Sequence, residues 1–552
     1  MRPSLVIRGG TVYDGSGAPG VRAEVEVAGD RISAIDRLRG DAVPADTARQ
    51  DAGSADAAPG ETTPTLDATG MVVCPGFINV LSHAWGSLQR DGRGASDVLQ
   101  GVTTEIFGEA FSPGPTTPEV VEAMGSFGLL DGARADFTRL ADGLDFLEHN
   151  GVAPNVASFV GGHNLRVIGS GLDAGPMAPS DLDRVRGVLD EEMADGALGI
   201  GTALIYAPGC FASTGELVEL GRVVSRHGGT YISHLRSEGE EFVEALDELL
   251  EIGARAQVRT EVYHLKAAGR RNWPKMARAT ERIEAALGQG QPVGANMYPY
   301  TAGGTALAAA IPPAFHEGGP GALAERLADP DDRARMVSAM GVPGRGWENL
   351  FMAAGGGQGI LILAADGAGA AHLGRTLGEV AVDRGTDELT TLLDLVAEDP
   401  TIGTAYFIID EAGVQLGLRQ SWVAVGSDAP ALVAVPPYTD QPTHPRTYGT
   451  FARVLGHYAR ELRLLDVAEA VRRMTSLPAD ALGLSARGHL EVGAFADIVA
   501  FDPRTVCDRA TYTDPHLYAE GVRHVVVNGA PVVRDGELTG ALPGRRLRRA
   551  KQ

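Results

Sequence analysis

Two short runs that each close on a histidine carry the first chemical signal in this chain: TYISHL, which contains His234, and TEVYHLK, which contains His264, with a helical pattern between them. β-Branched and aromatic residues predict strands, so both imidazoles are expected at the carboxyl ends of strands in consecutive β/α units. In a parallel β/α array those ends share one face, and that face is where active sites form. Two imidazoles delivered there point to a divalent metal, zinc first, because neutral histidine nitrogen is a common zinc ligand. A later strand-like run, WVAVGS, leads into Asp428 on the same face. A carboxylate so placed can take a proton from water and later deliver it to a leaving amine, helped when a metal lowers that water's pKa to about 7. The plainer alternatives are histidines satisfied by backbone carbonyls and an aspartate capping a helix. The company the three residues keep favours the metal.

The elements that must position them follow from the pattern between Met71 and Ser427. Candidate strands end near Leu81 (VVCPGFINVL), Gly108 (TTEIFG), Val160, Gly201, His234, His264, Tyr298 and Ser427, and helical segments such as Gly215 to Arg226 and Glu240 to Ala256 lie between them. Eight such strands are the number that closes a (β/α)8 TIM barrel. The connection from Thr301 to about Arg419 is too long for an ordinary loop, and it holds the amphipathic run Leu323 to Met340. It reads as an inserted subdomain or lid, with a plain surface excursion equally open. Strand-like runs between Leu5 and Ile35 are matched at the far end by Ala496 to Phe501 and Val522 to Val533. The predicted organisation is therefore a small β-domain drawn from residues 1–70 and 485–552, a barrel over 71–484, and an insertion over 301–419. Gly40 to Thr65, rich in Ala, Asp, Pro, Gly and Thr, reads as a surface loop without a catalytic role.

Composition narrows the partners. A net charge of −23 leaves no broad basic surface for nucleic acid or an anionic membrane, and the basic cluster Arg545 to Lys551 reads as a solvated tail. Cys74, Cys210 and Cys507 have no CxxC spacing, so structural disulfides are not expected and a reducing cytoplasm is the default. The amino terminus, MRPSLVIRGGTVYDG, alternates like a strand and lacks the apolar centre of a signal peptide. No apolar run reaches the roughly 18 residues of a membrane span.

Several motifs taken together carry a resemblance. PGFIN and GVTT near the first two strands, HLR and HLK at the histidines, GSD at Asp428, HPRTYG at His444 to Gly449, MTSLPADALGL, FADIVAFDP and VVNG resemble the D-aminoacylase, or N-acyl-D-amino-acid deacylase, branch of the amidohydrolase superfamily. The similarity runs from Val6 to about Arg545. The resemblance implies a TIM barrel with a small β-sandwich formed from both chain termini, one zinc ion bound by His234 and His264, and Asp428 as general base and acid. It also implies that the substrate's carboxylate and acyl carbonyl are held by Lys266 of HLK, Tyr206 of LIYAPG, Tyr298 of YPY and Arg446 of HPRTYG. His163, in GGHNLR, falls where the family has a Gly-rich loop near the substrate; a hydrogen-bonding role and a structural one are both open.

Two departures bear on the metal. The superfamily's HxH after the first strand is reduced here, with Leu81 at the first position and only His83 surviving, which weakens a second metal subsite. The family's metal-binding cysteine is replaced in Gly108-Glu109-Ala110 by alanine. Glu109, one residue away, can ligate through oxygen and make the site harder, or can face solvent or pair with Arg93. Glu105 has no assigned role, and His227, His457 and His524 read as structural. The expected function is metal-dependent hydrolysis of a linear amide, removing an acyl group from a small-molecule substrate, an N-acyl-D-amino acid or related acylated amine. The rivals are a non-catalytic relative that only binds a ligand, and a metal enzyme that opens a cyclic amide or deaminates.

Overall fold

The computed structural model describes residues 3–38, 63–130 and 132–550. Apart from residues 63–65, the Gly40 to Thr65 loop lies outside them. The site-bearing sheet is parallel throughout. Its strands are Phe77–Asn79, Val102–Phe107, Asn155–Ser158 continued by Val160–Gly161, Gly199–Ala203, Thr230–His234, Arg259–Val262, Val293–Met297 and Val423–Val425, each paired with its neighbour in chain order. Every residue in them except Arg259 is buried, which is why these strands read as near-continuous apolar runs rather than alternating ones. The sheet curls back on itself at its carboxyl end: Ser82 bridges Ala429, and Asp428 N donates to Leu81 O at 2.9 Å. That return brings Asp428 beside the first strand, although the two are far apart in sequence.

Helices between the strands bury one face each. Thr214–Arg226 begins with a capping box in which Ser213 and Glu216 satisfy each other's backbone N–H, and Phe242–Ala256 packs Phe242, Leu246, Leu249 and Ile252 inward at helical spacing. Residues Leu323 to Met340 form two helices, Gly319–Ala328 and Pro330–Met340, where the sequence pattern reads as one. The Asp329 carboxylate accepts from the N–H groups of Asp331 and Asp332, and Pro330 opens the second helix, so the apolar period runs through a true helix boundary. With a three-stranded antiparallel sheet of Gly303–Ala306, Gly403–Tyr406 and Ile360–Ala364, these helices make the long excursion before the last parallel strand a folded unit.

A ten-stranded sheet draws on both ends of the chain and includes Leu5–Arg8, Val21–Ala28, Arg31–Arg37, Ile498–Phe501 and Val522–Val527. Leu5, Ile7, Val25, Val27, Ile498 and Val526 form its core, each worth about 1.5–3 kcal/mol when fully buried. The run VVCPGFINVL is not one strand. Val72–Pro75 pairs with Ile498–Phe501 in this second sheet, and only Phe77–Asn79 joins the parallel one. Gly76 lies at the crossover, where a Cβ would collide with the Thr103 side chain.

The basic terminus is not a solvated tail. Arg545 O accepts from Val156 N at 2.9 Å, Leu547 N donates to Val156 O at 2.8 Å, and the Arg546 guanidinium pairs with Asp145 at 3.0 Å with its side chain buried. The tail docks because a strand's free peptide groups and a surface carboxylate await it. No helix among the described residues is long and apolar enough to cross a membrane, and all three cysteines are free.

Candidate metal centre

Glu109, His234 and His264 converge at the carboxyl ends of the second, fifth and sixth parallel strands. Gly108 turns the chain out of the second strand at φ +109°, passing so close to the Phe159 carbonyl that a Cβ would collide with it, and Glu109 follows. His234 is the last residue of its strand. His264 lies two residues beyond its strand in the left-handed region, φ +34°, where Asn296 Oδ1 accepts from its backbone N–H at 2.9 Å. Asp428 is also left-handed, φ +53°. Non-glycine residues in this region are strained, and two of them here carry chemistry.

Glu109 Oε1 stands 3.1 Å from His234 Nδ1 and 3.0 Å from His264 Nε2, and Oε2 stands 3.3 Å from His83 Nε2. Among the described residues those three imidazoles are the ion-pair partners of this buried carboxylate, and no lysine or arginine is paired with it directly. Burial opposes its ionisation, but the histidines hold it well below the usual carboxylate range. The alternative partner, Arg93, is taken by Asp91 at 2.5 Å.

The far nitrogens of both rings meet a second carboxylate that sequence reasoning passed over. Glu238 Oε1 lies 3.0 Å from His264 Nδ1 and Oε2 lies 3.4 Å from His234 Nε2. Glu238 thus stands behind both rings, while Lys266 Nζ is the donor at His264 Nδ1, 2.8 Å away, and His234 Nε2 has no hydrogen bond; a carboxylate behind an imidazole is the arrangement that orients metal-bound histidines. Two imidazole nitrogens and one carboxylate oxygen, all within 4.8 Å of one another, are a donor set that suits a divalent ion such as zinc.

A second set shares Glu109: His83 Nε2 is 2.9 Å from Asp428 Oδ1. Leu81, at the missing ligand position, is 1% exposed and packs with Ile78, Val80 and Ile106 in the core. Burial raises the Asp428 carboxyl, yet Arg446 foremost, with His83 and His264, outweighs this and keeps it below its ordinary value. Arg446 Nη1 lies 2.8 Å from Asp428 Oδ2, at an angle that leaves Nη1 and Nε without a hydrogen bond.

Tyr206, Tyr298, Lys266 and His163 line a cavity of about 570 Å³ together with His83, Glu109, Asp428, His234 and His264, and Arg446 lies outside that lining, against Tyr298 and Asp428. Tyr206 stands edge-on to His234 with ring centres 5.4 Å apart, and Tyr298 lies under the Arg446 guanidinium at 4.7 Å. Burial raises both phenols, Tyr298 to about 12, so each remains a donor. Lys266 donates to Glu238 Oε1 at 2.6 Å and is also 2.8 Å from His264 Nδ1. Burial disfavours its charge, but Glu238 raises it to about 12. His163 Nε2 donates to Ala203 O at 3.1 Å, and burial lowers that imidazole to about 4, which makes it a neutral brace in the wall.

Glu105 also finds a role. Asn79 Nδ2 donates to Glu105 Oε2 at 3.0 Å, to Asp97 Oδ2 at 3.2 Å and to Ser427 Oγ at 2.8 Å, while Asn79 Oδ1 accepts from Ser427 N at 2.9 Å. Burial raises the Glu105 carboxyl well above its ordinary value, so this polar knot tethers the residue before Asp428 to the first two strands. His227 and His457 pair with Asp190 and Glu461, and His524 with a backbone carbonyl.

Known proteins resemble this chain over its full length. Residues 420–533 match the amidohydrolase family model. A D-aminoacylase of Alcaligenes xylosoxydans xylosoxydans is 34% identical over 99% of this chain and 97% of the relative. A D-aminoacylase structure described for its binuclear metal centre superposes with a TM-score of 0.77 at 32% identity, covering 99% of this chain and all of that one. The N-acyl-D-glutamate deacylase of Bordetella bronchiseptica, solved with zinc and a phosphonate mimic of the tetrahedral intermediate, gives 0.77 at 29% identity over 99% and 100% of the two chains. The chain belongs to the D-aminoacylase family of amidohydrolases.

Proposed function

We propose that this chain hydrolyses N-acyl-D-amino acids with the help of a divalent ion held by Glu109, His234 and His264. The observation that carries the reading is Glu109: a buried carboxylate facing three imidazoles, two of which have Glu238 behind their outer nitrogens. A zinc ion there supplies Lewis acidity to the acyl carbonyl and acidifies water. One ion is the proposed complement, since the second set has lost a ligand to Leu81 and its Asp428 is engaged by Arg446.

Asp428 accepts a proton from the attacking water as the oxygen bonds to the acyl carbon, then returns it to the amine nitrogen as the C–N bond breaks. Arg446 holds it ionised for the first task. Tyr206 and Tyr298, both neutral phenols, are the donors available to the developing oxyanion. Arg446, with unfilled N–H groups, is the stronger candidate for the substrate's carboxylate; Lys266 is already committed to Glu238 and stabilises the site's charge.

The pairing of Ser82 with Ala429 supports closure of the parallel strands as a (β/α)8 barrel. The two-ended sheet supports a β-sandwich from residues 1–70 and 485–552, extended by Val72–Pro75, beside a barrel over 71–484 with its insertion at 301–419. Three free cysteines support a reducing compartment such as the cytoplasm. Retention of a proton acceptor beside the donor set argues against a binder without activity. The test is a panel of N-acetyl-D- and N-acetyl-L-amino acids, assayed before chelation, after it, and after zinc is restored. Activity should vanish and return; activity that survives complete metal removal refutes the reading.

A further inference from the structure

The cavity above the metal centre is larger and more apolar than an N-acetyl-amino acid requires. Past the ring of Tyr206 and Tyr298 its walls are Phe111 and Phe127 from the segment after the second strand, and Ile311, Leu323, Leu327 and Val396 from the insertion. Leu323 and Leu327 are four residues apart on the helix Gly319–Ala328, so they present one face, and each is 4% exposed. Leu129, at 44% exposed, also lines the cavity and marks where it meets solvent. At about 570 Å³ the space falls in the range of roughly 300–1,000 Å³ that houses drug-sized ligands.

Charge decides what fills it. Among the described residues that line the cavity, Lys266 is the one lysine or arginine, and Glu238 holds its ammonium at 2.6 Å. His316, also in the wall, donates to the Ile311 carbonyl at 3.2 Å. With Arg446, over Tyr298 and beside Asp428, left to the substrate's α-carboxylate, an acidic side chain meets no further free counter-charge in these walls, whereas a saturated chain meets apolar partners along their length. Of the two arms of an N-acyl-amino acid, the side chain is short by nature, and only the acyl chain can lengthen to use such a space.

We propose that the preferred substrates are D-amino acids carrying a medium- or long-chain fatty acyl group, whose alkyl tail lies along this channel while the amide reaches the metal centre. The inference rests on the deacylase reading and names its substrate class. The bond changes are those of amide hydrolysis: water's oxygen joins the acyl carbon, its proton goes to the amine, and a fatty acid leaves. Each methylene moved from water into an apolar wall is worth roughly three- to fourfold in binding. If that binding is realised in the transition state, it appears in kcat/KM.

The experiment compares N-acetyl-, N-octanoyl- and N-dodecanoyl-D-leucine as substrates of the zinc-loaded full-length protein, and measures dodecanoate binding to the same protein by calorimetry. The expected result is a rise of at least about tenfold in kcat/KM from acetyl to octanoyl, with saturable dodecanoate binding. Ala309→Trp, which pushes an indole into the channel, is expected to lower the octanoyl-to-acetyl ratio about tenfold and to weaken dodecanoate. A flat or falling series, or a ratio that Ala309→Trp leaves unchanged, overturns the proposal. If none of the amides is hydrolysed, the deacylase reading fails on its own, and the calorimetry still decides the channel: binding weakened by Ala309→Trp supports it, and absence of binding ends it.

Discussion

Glu238 Oε1 lies 3.0 Å from His264 Nδ1, on the opposite side of the imidazole from Glu109. One carboxylate thus stands on each side of the ring, so in the proposed metal site Glu238 would orient a ligand that it does not replace. Glu238→Gln keeps the shape but cannot accept N–H as strongly, and it leaves Lys266 without its ion pair. Zinc affinity is expected to fall about 10- to 100-fold, read by competition with a chelating dye. Unchanged affinity would show that the contact is incidental.

Glu109→Ala removes the one oxygen donor common to both possible metal sets. Zinc content after gel filtration is expected to drop from near-stoichiometric to a trace, with the fold retained by circular dichroism. A fully loaded Glu109→Ala protein would move the metal elsewhere.

Asp428→Asn should leave zinc in place and lower kcat about 10²- to 10⁴-fold, the usual weight of a positioned proton acceptor. A variant that keeps most of its kcat with full metal would take the proton transfer away from this residue.

Arg446→Lys tests the carboxylate clamp, because an ammonium cannot reproduce the bidentate guanidinium. The loss in kcat/KM should be about tenfold or more for an N-acyl-D-amino acid and smaller for the matching N-acyl amine without a carboxylate. Equal losses would place Arg446 with Asp428 alone.

Stability should also depend on pH through Glu348, 6% exposed, whose Oε2 accepts from Glu238 N at 2.8 Å while Oε1 has no partner. Burial first, and the Glu238 charge second, raise this carboxyl to about 7. A raised carboxyl binds its proton more tightly in the folded state, so its contribution is complete below the unfolded value near 4.5 and is lost as pH rises through about 7. Glu348→Gln mimics the protonated form. It should raise stability at pH 8 by up to about 3 kcal/mol and by much less at pH 5, read by denaturant melts at both. A gain equal at both pH values would contradict the assignment.

His234, His264 and Asp428 were legible because a strand's last residue, and the few that follow it, emerge on one known face of a parallel β/α array. Glu109 was legible only as an alternative, since a turn after Gly108 can aim its side chain inward or outward. Glu238 was not legible: HLRSEGEE offers three glutamates, and only the folded loop brings one of them behind the rings. The run VVCPGFINVL hid a change of sheet at Pro75-Gly76, because buried strands of both sheets carry the same apolar residues. Arg545 to Leu547 read as a tail because charge predicts exposure, whereas here Asp145 and the free peptide groups of Val156 receive it.

The most direct measurement is anomalous diffraction at the zinc edge from crystals of the zinc-loaded protein. A single peak about 2.0–2.2 Å from a Glu109 carboxylate oxygen, His234 Nδ1 and His264 Nε2 is the predicted result. Zinc bound in full but away from those three atoms would contradict the account.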